Sequence, residues 1–324
     1  MIKHRSLLLT AVALASGIAQ AATKAPATTT CDRDCLKALA DSYIAALVAH
    51  DPHKVALAAD VKIVENAQRI KPGEGLWKTA TAGPTDFKIL VPDPYSQEVG
   101  GMVMMQSDGK PAQLGFRLKI VNGKITEAEH MIAVPREASL ANLQKLRPGI
   151  LMDVPYEYRD SRGRLVHIAK SYYDALDNNN GSLAPFAADC ERRENGMRTA
   201  PSGGVATGTG MPGAPPRPPS LGGMQDCASQ INAGTFQYIT VIDNRRVELA
   251  DEQTGLALGF SHFHHEMTQK EFKILNDPNR EVMKLDIKPF DLPAMHIFKV
   301  WGGQIHEIEA MGFTAPYNSP TGWE

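Results

Sequence analysis

Residues 39–69, LADSYIAALVAHDPHKVALAADVKIVENAQR, and residues 168–198, IAKSYYDALDNNNGSLAPFAADCERRENGMR, decide the reading of this chain because they are copies of one another. At a constant offset of 129 they match without a gap at Ala40/Ala169, Ser42/Ser171, Tyr43/Tyr172, Ala46/Ala175, Leu47/Leu176, Ala58/Ala187, Ala59/Ala188, Asp60/Asp189, Glu65/Glu194, Asn66/Asn195 and Arg69/Arg198. A second pair of blocks, Lys119 to Met131 (KIVNGKITEAEHM) and Lys299 to Met311 (KVWGGQIHEIEAM), follows in the same order at an offset of 180. The chain therefore reads as a duplicated domain with about 51 extra residues in the second copy.

Working outward from the repeat, the apolar residues Leu36, Leu39, Tyr43 and Leu47 fall on one face of an amphipathic helix. Leu165, Ile168, Tyr172 and Leu176 repeat it. His50-Asp51-Pro52 and Asn178 to Gly181 end the two helices. Val61 to Asn66 and Cys190 to Asn195 then alternate as strands, with Val61, Ile63 and Glu65 on one face. Further strands are expected around residues 100–105, 114–121, 124–132, 237–249 and 256–264, and a hairpin from Met295 to Met311. Asn122-Gly123 between alternating runs is a hairpin signal.

These signals divide the chain into a first domain at 27–134, a connector at 135–160 with a short helical pattern at Ser139 to Leu146, and a second domain at 161–324. The connector is too structured for a flexible linker, so the domains are expected to pack together. Within the second, residues 201–223 (PSGGVATGTGMPGAPPRPPSLGG) are expected to form a surface loop, because that composition buries too little apolar area to offset the entropy of ordering. Tyr317 and Trp323 in the tail are expected to pack back on the second domain.

Residues 1–21 read as a secretory signal: Lys3 and Arg5, an apolar run from Leu7 to Ala15, and a small-residue site at Ala19-Gln20-Ala21. A periplasmic or secreted location follows as the expectation. The formal net charge is −2, and loss of Lys3 and Arg5 makes the remainder mildly acidic, so nucleic acid is not an expected partner. Beyond the signal no stretch approaches the roughly 18 apolar residues of a spanning helix, and no membrane association is expected after its removal. A small molecule is the expected ligand, with homo-oligomerisation left open.

Four cysteines in an exported chain are expected to pair. Three connectivities are open; Cys190–Cys227 across the insertion and a local Cys31–Cys35 pair are favoured. The cysteines lack histidines at ligand spacing, so no metal site is assigned to them.

A helix, a short connection, a strand ending in a carboxylate, and then an antiparallel sheet resemble the α+β cone of the nuclear transport factor two-like superfamily. That superfamily includes ketosteroid isomerase and polyketide cyclases. Tyr43-Ile44-Ala45-Ala46-Leu47 resembles the isomerase helix whose tyrosine is an oxyanion donor. The five-residue spacings Asp60 to Glu65 and Asp189 to Glu194 resemble the spacing from the start of its first strand to its general base. The isomerase's acidic oxyanion donor has no counterpart near Phe116 and His296, which argues against steroid isomerisation itself. The resemblance implies two tandem cones, each a curved antiparallel sheet wrapped around N-terminal helices, and chemistry without a cofactor.

Strand parity extends the candidate site. If Lys119 and Lys299 face solvent, Phe116, Leu118 and Ile120 point into the first cone, and His296, Phe298 and Val300 into the second. The same reasoning places His130 and His306 inside and Glu127, Glu129, Glu307 and Glu309 on a solvated or interfacial outer face. The second cone then gathers Tyr172, Arg192, Glu194, His296 and His306, and the first holds Tyr43, Glu65 and His130. So many ionisable groups in one cavity are hard to justify as packing.

The expected catalytic set is Glu194 for proton transfer, with Tyr172 and either His296 or His306 donating to an oxyanion. Arg192, Tyr43, Glu65, His130 and His262 are expected to contact the ligand. A pair between Arg192 and Glu194 would weaken Glu194 as a base. His262, His264 and His265 form a local cluster; His262 and His264 share a strand face and could bind a metal with a third ligand, and a solvated strand end or pocket rim is the preferred reading. The expected activity is that of a cofactor-independent lyase, dehydratase or isomerase acting on a small apolar substrate, aromatic ones included. The alternative is a non-catalytic module of the same fold that binds a small molecule or another protein.

Overall fold

In the computed structural model of the protein, residues 30–201, 226–275 and 281–324 are described. The signal at 1–21 and nearly all of the insertion at 201–223 lie outside them. The first copy runs α1 (Arg33–Val48), β1 (Leu57–Glu65), β2 (Gln68–Ile70), a one-turn α2 (Leu76–Thr79), β3 (Ala80–Ala82), β4 (Lys88–Asp93), β5 (Glu98–Ser107), β6 (Lys110–Val121) and β7 (Lys124–Ala133). The second runs α3 (Arg162–Asp177), β8 (Phe186–Glu194), β9 (Met197–Ala200), α4 (Cys227–Asn232), β10 (Val241–Asp251), β11 (Leu256–His265), the small hairpin β12 (Glu271–Lys273) and β13 (Val282–Lys284), β14 (Phe290–Trp301), β15 (Gln304–Gly312) and β16 (Ala315–Pro316).

The two main sheets have the same topology. The first is ordered β2-β1-β7-β6-β5-β3, with β4 also on β5; the second is β10-β11-β14-β15-β8-β9, with β16 on β14. In both, the opening strand lies parallel to the closing one, β1 with β7 and β8 with β15, and the other strand pairs are antiparallel. This is the α+β cone in tandem.

Local chemistry fixes the shared geometry. Asp32 caps α1 by accepting from the Cys35 amide. Asn66 and Asn195 adopt positive φ in the tight turns after β1 and β8. Each asparagine also clamps the closing strand: Asn66 donates to Ile132 O and accepts from Ile132 N, and Asn195 does the same with Gly312. The clamp explains why Glu-Asn is repeated: it holds the carboxylate beside a fixed point of β7 or β15.

Each cone has its own apolar core beneath its long helix. Leu36, Tyr43 and Leu47 pack with Trp77, Phe116 and Leu118 in the first, and Leu165, Tyr172 and Leu176 with Phe298 and Ile308 in the second. A third cluster joins the sheets back to back, with Ile89, Val91, Met102 and Met104 meeting Leu249, Leu258, Phe260, Met295 and Ile297. Gly100 permits this approach; a Cβ there would lie 2.8 Å from both Leu258 Cδ1 and the Phe116 carbonyl.

The outer glutamates are interfacial rather than solvated. Arg117 pairs with Glu98 and Glu127 and lies 3.6 Å from Glu129, which Arg246 of the other copy also holds. Arg147 of the connector pairs with Glu307 and Glu309, and Arg193 with Glu191. Lys299, expected in solvent, is 0% exposed. Its ammonium donates to the carbonyls of Met152 and Thr254 at 2.6 Å, and burial, opposed by Glu307, lowers its pKa to about 8. The tail also departs from expectation: Tyr317 stays near His264, but Trp323 lies against Arg69 and Arg117 of the first copy and Arg246 of the second.

Candidate active site in the second cone

The same row of three positions crosses each sheet inside its cone. In the first copy, register pairs Glu65 with His130 and His130 with Phe116. In the second it pairs Glu194 with Ala310 and Ala310 with His296. The duplicated carboxylate is kept, but the histidine has moved one strand over, and a small residue takes its former place.

That exchange separates the two interiors. In the first cone, the Tyr43 hydroxyl lies 2.9 Å from His130 Nε2, and His130 Nδ1 lies 3.0 Å from Glu65 Oε2. Glu65 also accepts from the Leu76 amide at the start of α2, and a Cβ on Gly75 would lie 2.1 Å from its Oε1. Burial and the charge of Glu65 push the Tyr43 phenol above its ordinary range. The result is a closed chain of three polar groups packed against Trp77. A hollow of about 680 Å³ lies on the outside of this copy, between 52–62 and 69–72, and holds none of the predicted site residues.

In the second cone, Arg192 takes the place of Ile63 in the aligned strands. Its Nη2 donates to Glu194 Oε2 at 2.9 Å, and its guanidinium stacks over Phe236 at 5.0 Å. Gln230 of α4 accepts from Arg192 at 3.5 Å. The Cys190–Cys227 disulfide ties α4 to β8, and Cys31–Cys35 closes the start of α1. His296 is buried, with its ring 5.2 Å from that of Tyr172 and its Nδ1 3.2 Å from the Tyr173 hydroxyl. Burial, reinforced by the charge of Arg192, lowers the His296 pKa to about 3, so the ring is neutral. Burial likewise raises the Tyr172 phenol, against the opposing pull of Arg192. The Tyr172 hydroxyl and Arg192 Nε are buried without a hydrogen bond of normal geometry among the described residues.

Arg192, Glu194, His296 and Ala310 edge a chamber of about 40 Å³ walled by Phe236, Tyr238, Phe263 and His265, with Tyr172 packed behind His296 rather than on the lining. Glu194, with a side chain 37% exposed, also borders an outer groove of about 230 Å³ shared with Val134, Arg136, Ser139 and Thr199. It stands at the neck between the two spaces.

The structure thus brings Tyr172, Arg192, Glu194 and His296 together. It does not bring His306 to them. His306 Nδ1 bonds Asp189 at 2.7 Å, and its ring stacks on Trp301 at 3.8 Å. The Asn195 clamp puts Glu194 level with Ala310, four residues beyond His306 on β15. His262 also lies off the chamber, on the opposite face of β11 from Phe263 and His265. Sequence reasoning missed Tyr173, Phe236 and Tyr238, and placed His265 only in the cluster with His262 and His264. Parity along β11 carried the signal for His265, because His265 shares a face with Phe263; Phe236 and Tyr238 sit in an irregular segment with no periodicity.

Among solved structures, the chain is similar to a candidate polyketide cyclase from Xanthomonas campestris pv. campestris, at 15% identity over 46% of this chain and 90% of that one, with a TM-score of 0.29. It is similar to a nuclear transport factor two-like protein from Burkholderia thailandensis E264, at 15% identity over 46% and 89%, with a TM-score of 0.23. A third, a candidate SnoaL-like polyketide cyclase from Jannaschia sp. CCS1, has 13% identity over 48% and 89%, with a TM-score of 0.25. No curated protein matches significantly. One family profile matches residues 29–132 and 158–312, taking in both cones, and the chain belongs to that family, described as Domain of unknown function (DUF8021).

Proposed function

We propose that the second cone is a proton-transfer site for a small, mostly apolar molecule bearing a carbonyl or phenolic oxygen, built from side chains of this chain alone. Glu194 moves the proton; Arg192 and Tyr172 receive the developing oxyanion; neutral His296 donates or accepts a hydrogen bond according to its tautomer. The observation that supports this reading is the convergence of Arg192, Glu194 and neutral His296 on one chamber, with the buried Tyr172 hydroxyl against Arg192. The reaction classes that fit are isomerisation, elimination and cyclisation, each of which passes through an enolate or phenolate.

The chamber of about 40 Å³ is smaller than the ~150 Å³ cavity that holds benzene. A ring-sized substrate therefore requires the segment bearing Phe236 and Tyr238 to move outward, with access through the groove at Glu194. A second reading, a binding module without catalysis, is favoured by the Arg192–Glu194 pair, which engages the carboxylate.

The test is a thermal-shift screen of phenols and enolisable aromatic ketones, followed by deuterium exchange of the acidic C–H in bound hits. Glu194→Gln is expected to slow exchange by about 10²-fold or more, and Glu65→Gln to leave it nearly unchanged. Binding without any exchange would select the binding module. Equal small effects of the two variants would exclude both glutamates as bases.

A further inference from the structure

The geometry points to a divalent-cation site of the zinc class on the convex face of the second sheet, formed by Asp243, His262 and His264. Asp243 lies directly opposite His262 in the β10–β11 pairing, and His264 is two residues along the same face. One ligand atom from each falls within 4.8 Å of the others. Tetrahedral coordination at 2.0–2.2 Å needs such atoms about 3.3–3.5 Å apart. His264 Nε2 and Asp243 Oδ1 are already 3.1 Å apart, and the Asp243 side chain, 51% exposed, also accepts from Asn244 Nδ2 at 3.0 Å.

The independent observation is Asp291, buried on the neighbouring strand opposite His264. Its two oxygens lie 2.9 Å from His264 Nδ1 and 3.2 Å from His262 Nε2, and it accepts from the Ser319 amide at 2.8 Å. The rings of the two histidines are stacked 4.7 Å apart and 9° from parallel, so one ring must turn for both in-plane lone pairs to meet at one cation. A carboxylate behind an imidazole fixes its tautomer and directs the other nitrogen at a metal. With Nδ1–H donated to Asp291, His264 Nε2 faces the Asp243 carboxylate. At that distance the contact is bridged by either a second ring proton or a bound cation, and measurement of bound metal separates the two. Two imidazoles and a carboxylate suit zinc, with water in the fourth position. This face is distinct from the chamber at Glu194, so the site stands apart from the proton-transfer reading.

The experiment strips the purified protein with a chelator, equilibrates it with zinc or cobalt(II), removes free metal and measures bound metal by mass spectrometry. About one equivalent per chain is expected, with the visible absorption of tetrahedral cobalt. Asp243→Asn, a change at an exposed residue, is expected to weaken binding at least 10-fold, and Asp291→Asn by about 10- to 100-fold, with unchanged circular dichroism. Failure to retain stoichiometric metal overturns the site and leaves an ion-paired histidine cluster. Equal retention by wild type, Asp243→Asn and His264→Gln also overturns it.

Discussion

Glu194 lies opposite Ala310 across the parallel strands β8 and β15, where the first copy sets Glu65 opposite His130. A histidine at the paired position closes the first cone with a Tyr–His–Glu chain, and an alanine leaves the second open at its carboxylate.

Putting the ring back should therefore close the second cone. Ala310→His is expected to fill the space beside Glu194 and abolish ligand-induced thermal shifts, at an overpacking cost of about 1–3 kcal/mol. Undiminished ligand binding by a folded Ala310→His protein would show that ligands enter elsewhere.

His296 and His265 make stability depend on pH. Burial lowers their pKa values to about 3 and about 4. The folded state keeps both rings neutral, while the unfolded chain takes up protons below about pH 6.5. Their contribution is complete above that pH and is lost as pH falls towards the folded values, at up to about 1.4 kcal/mol per pH unit for each ring. Phe116 is the first-copy counterpart of His296, so His296→Phe should retain the fold and flatten the acid limb of urea midpoints between pH 7 and 4. An unaltered slope would mean that His296 is not buried as a neutral ring.

Arg147 sits among Glu191, Glu307 and Glu309, with all four side chains buried. Burial pushes the Glu307 carboxyl up, and Arg147 opposes it. Arg147→Met strands Glu307 and Glu309 in the interface, Glu191 keeping Arg193, and should cost about 3–5 kcal/mol in chemical denaturation. Lys37→Met, which removes only an exposed pair with Asp34, should cost less than about 1 kcal/mol. Similar losses for both would place the Arg147 network in effective contact with water.

The Cys190–Cys227 bond closes a separation of 37 residues. In the chain-entropy account its loss costs about 4 kcal/mol. Because it holds Gln230 near Arg192, the Cys190→Ala/Cys227→Ala double variant should also weaken ligand binding in the second cone. A midpoint unchanged by the double substitution would show that packing alone holds α4 on β8.

The sequence by itself determined the duplication, the helix and strand that carry Tyr43/Tyr172 and Glu65/Glu194, and the inward direction of His130 and His296. These follow from short-range rules: helical and strand periods act within a few residues, and the repeated Asn66 and Asn195 clamp each carboxylate locally. Only the tertiary structure decided what each face meets. Parity named Lys299 as outward, but outward in β14 means toward the carbonyls of Met152 and Thr254 rather than water. Parity also left open how far along a strand two inward residues stand, and the strand pairing set Glu194 beside Ala310 while His306 went to Asp189. The docking of the two sheets, like the junction of Asp243, His262 and Asp291 from three strands, is a contact between residues far apart in the chain, and local periodicity holds no information about such partners.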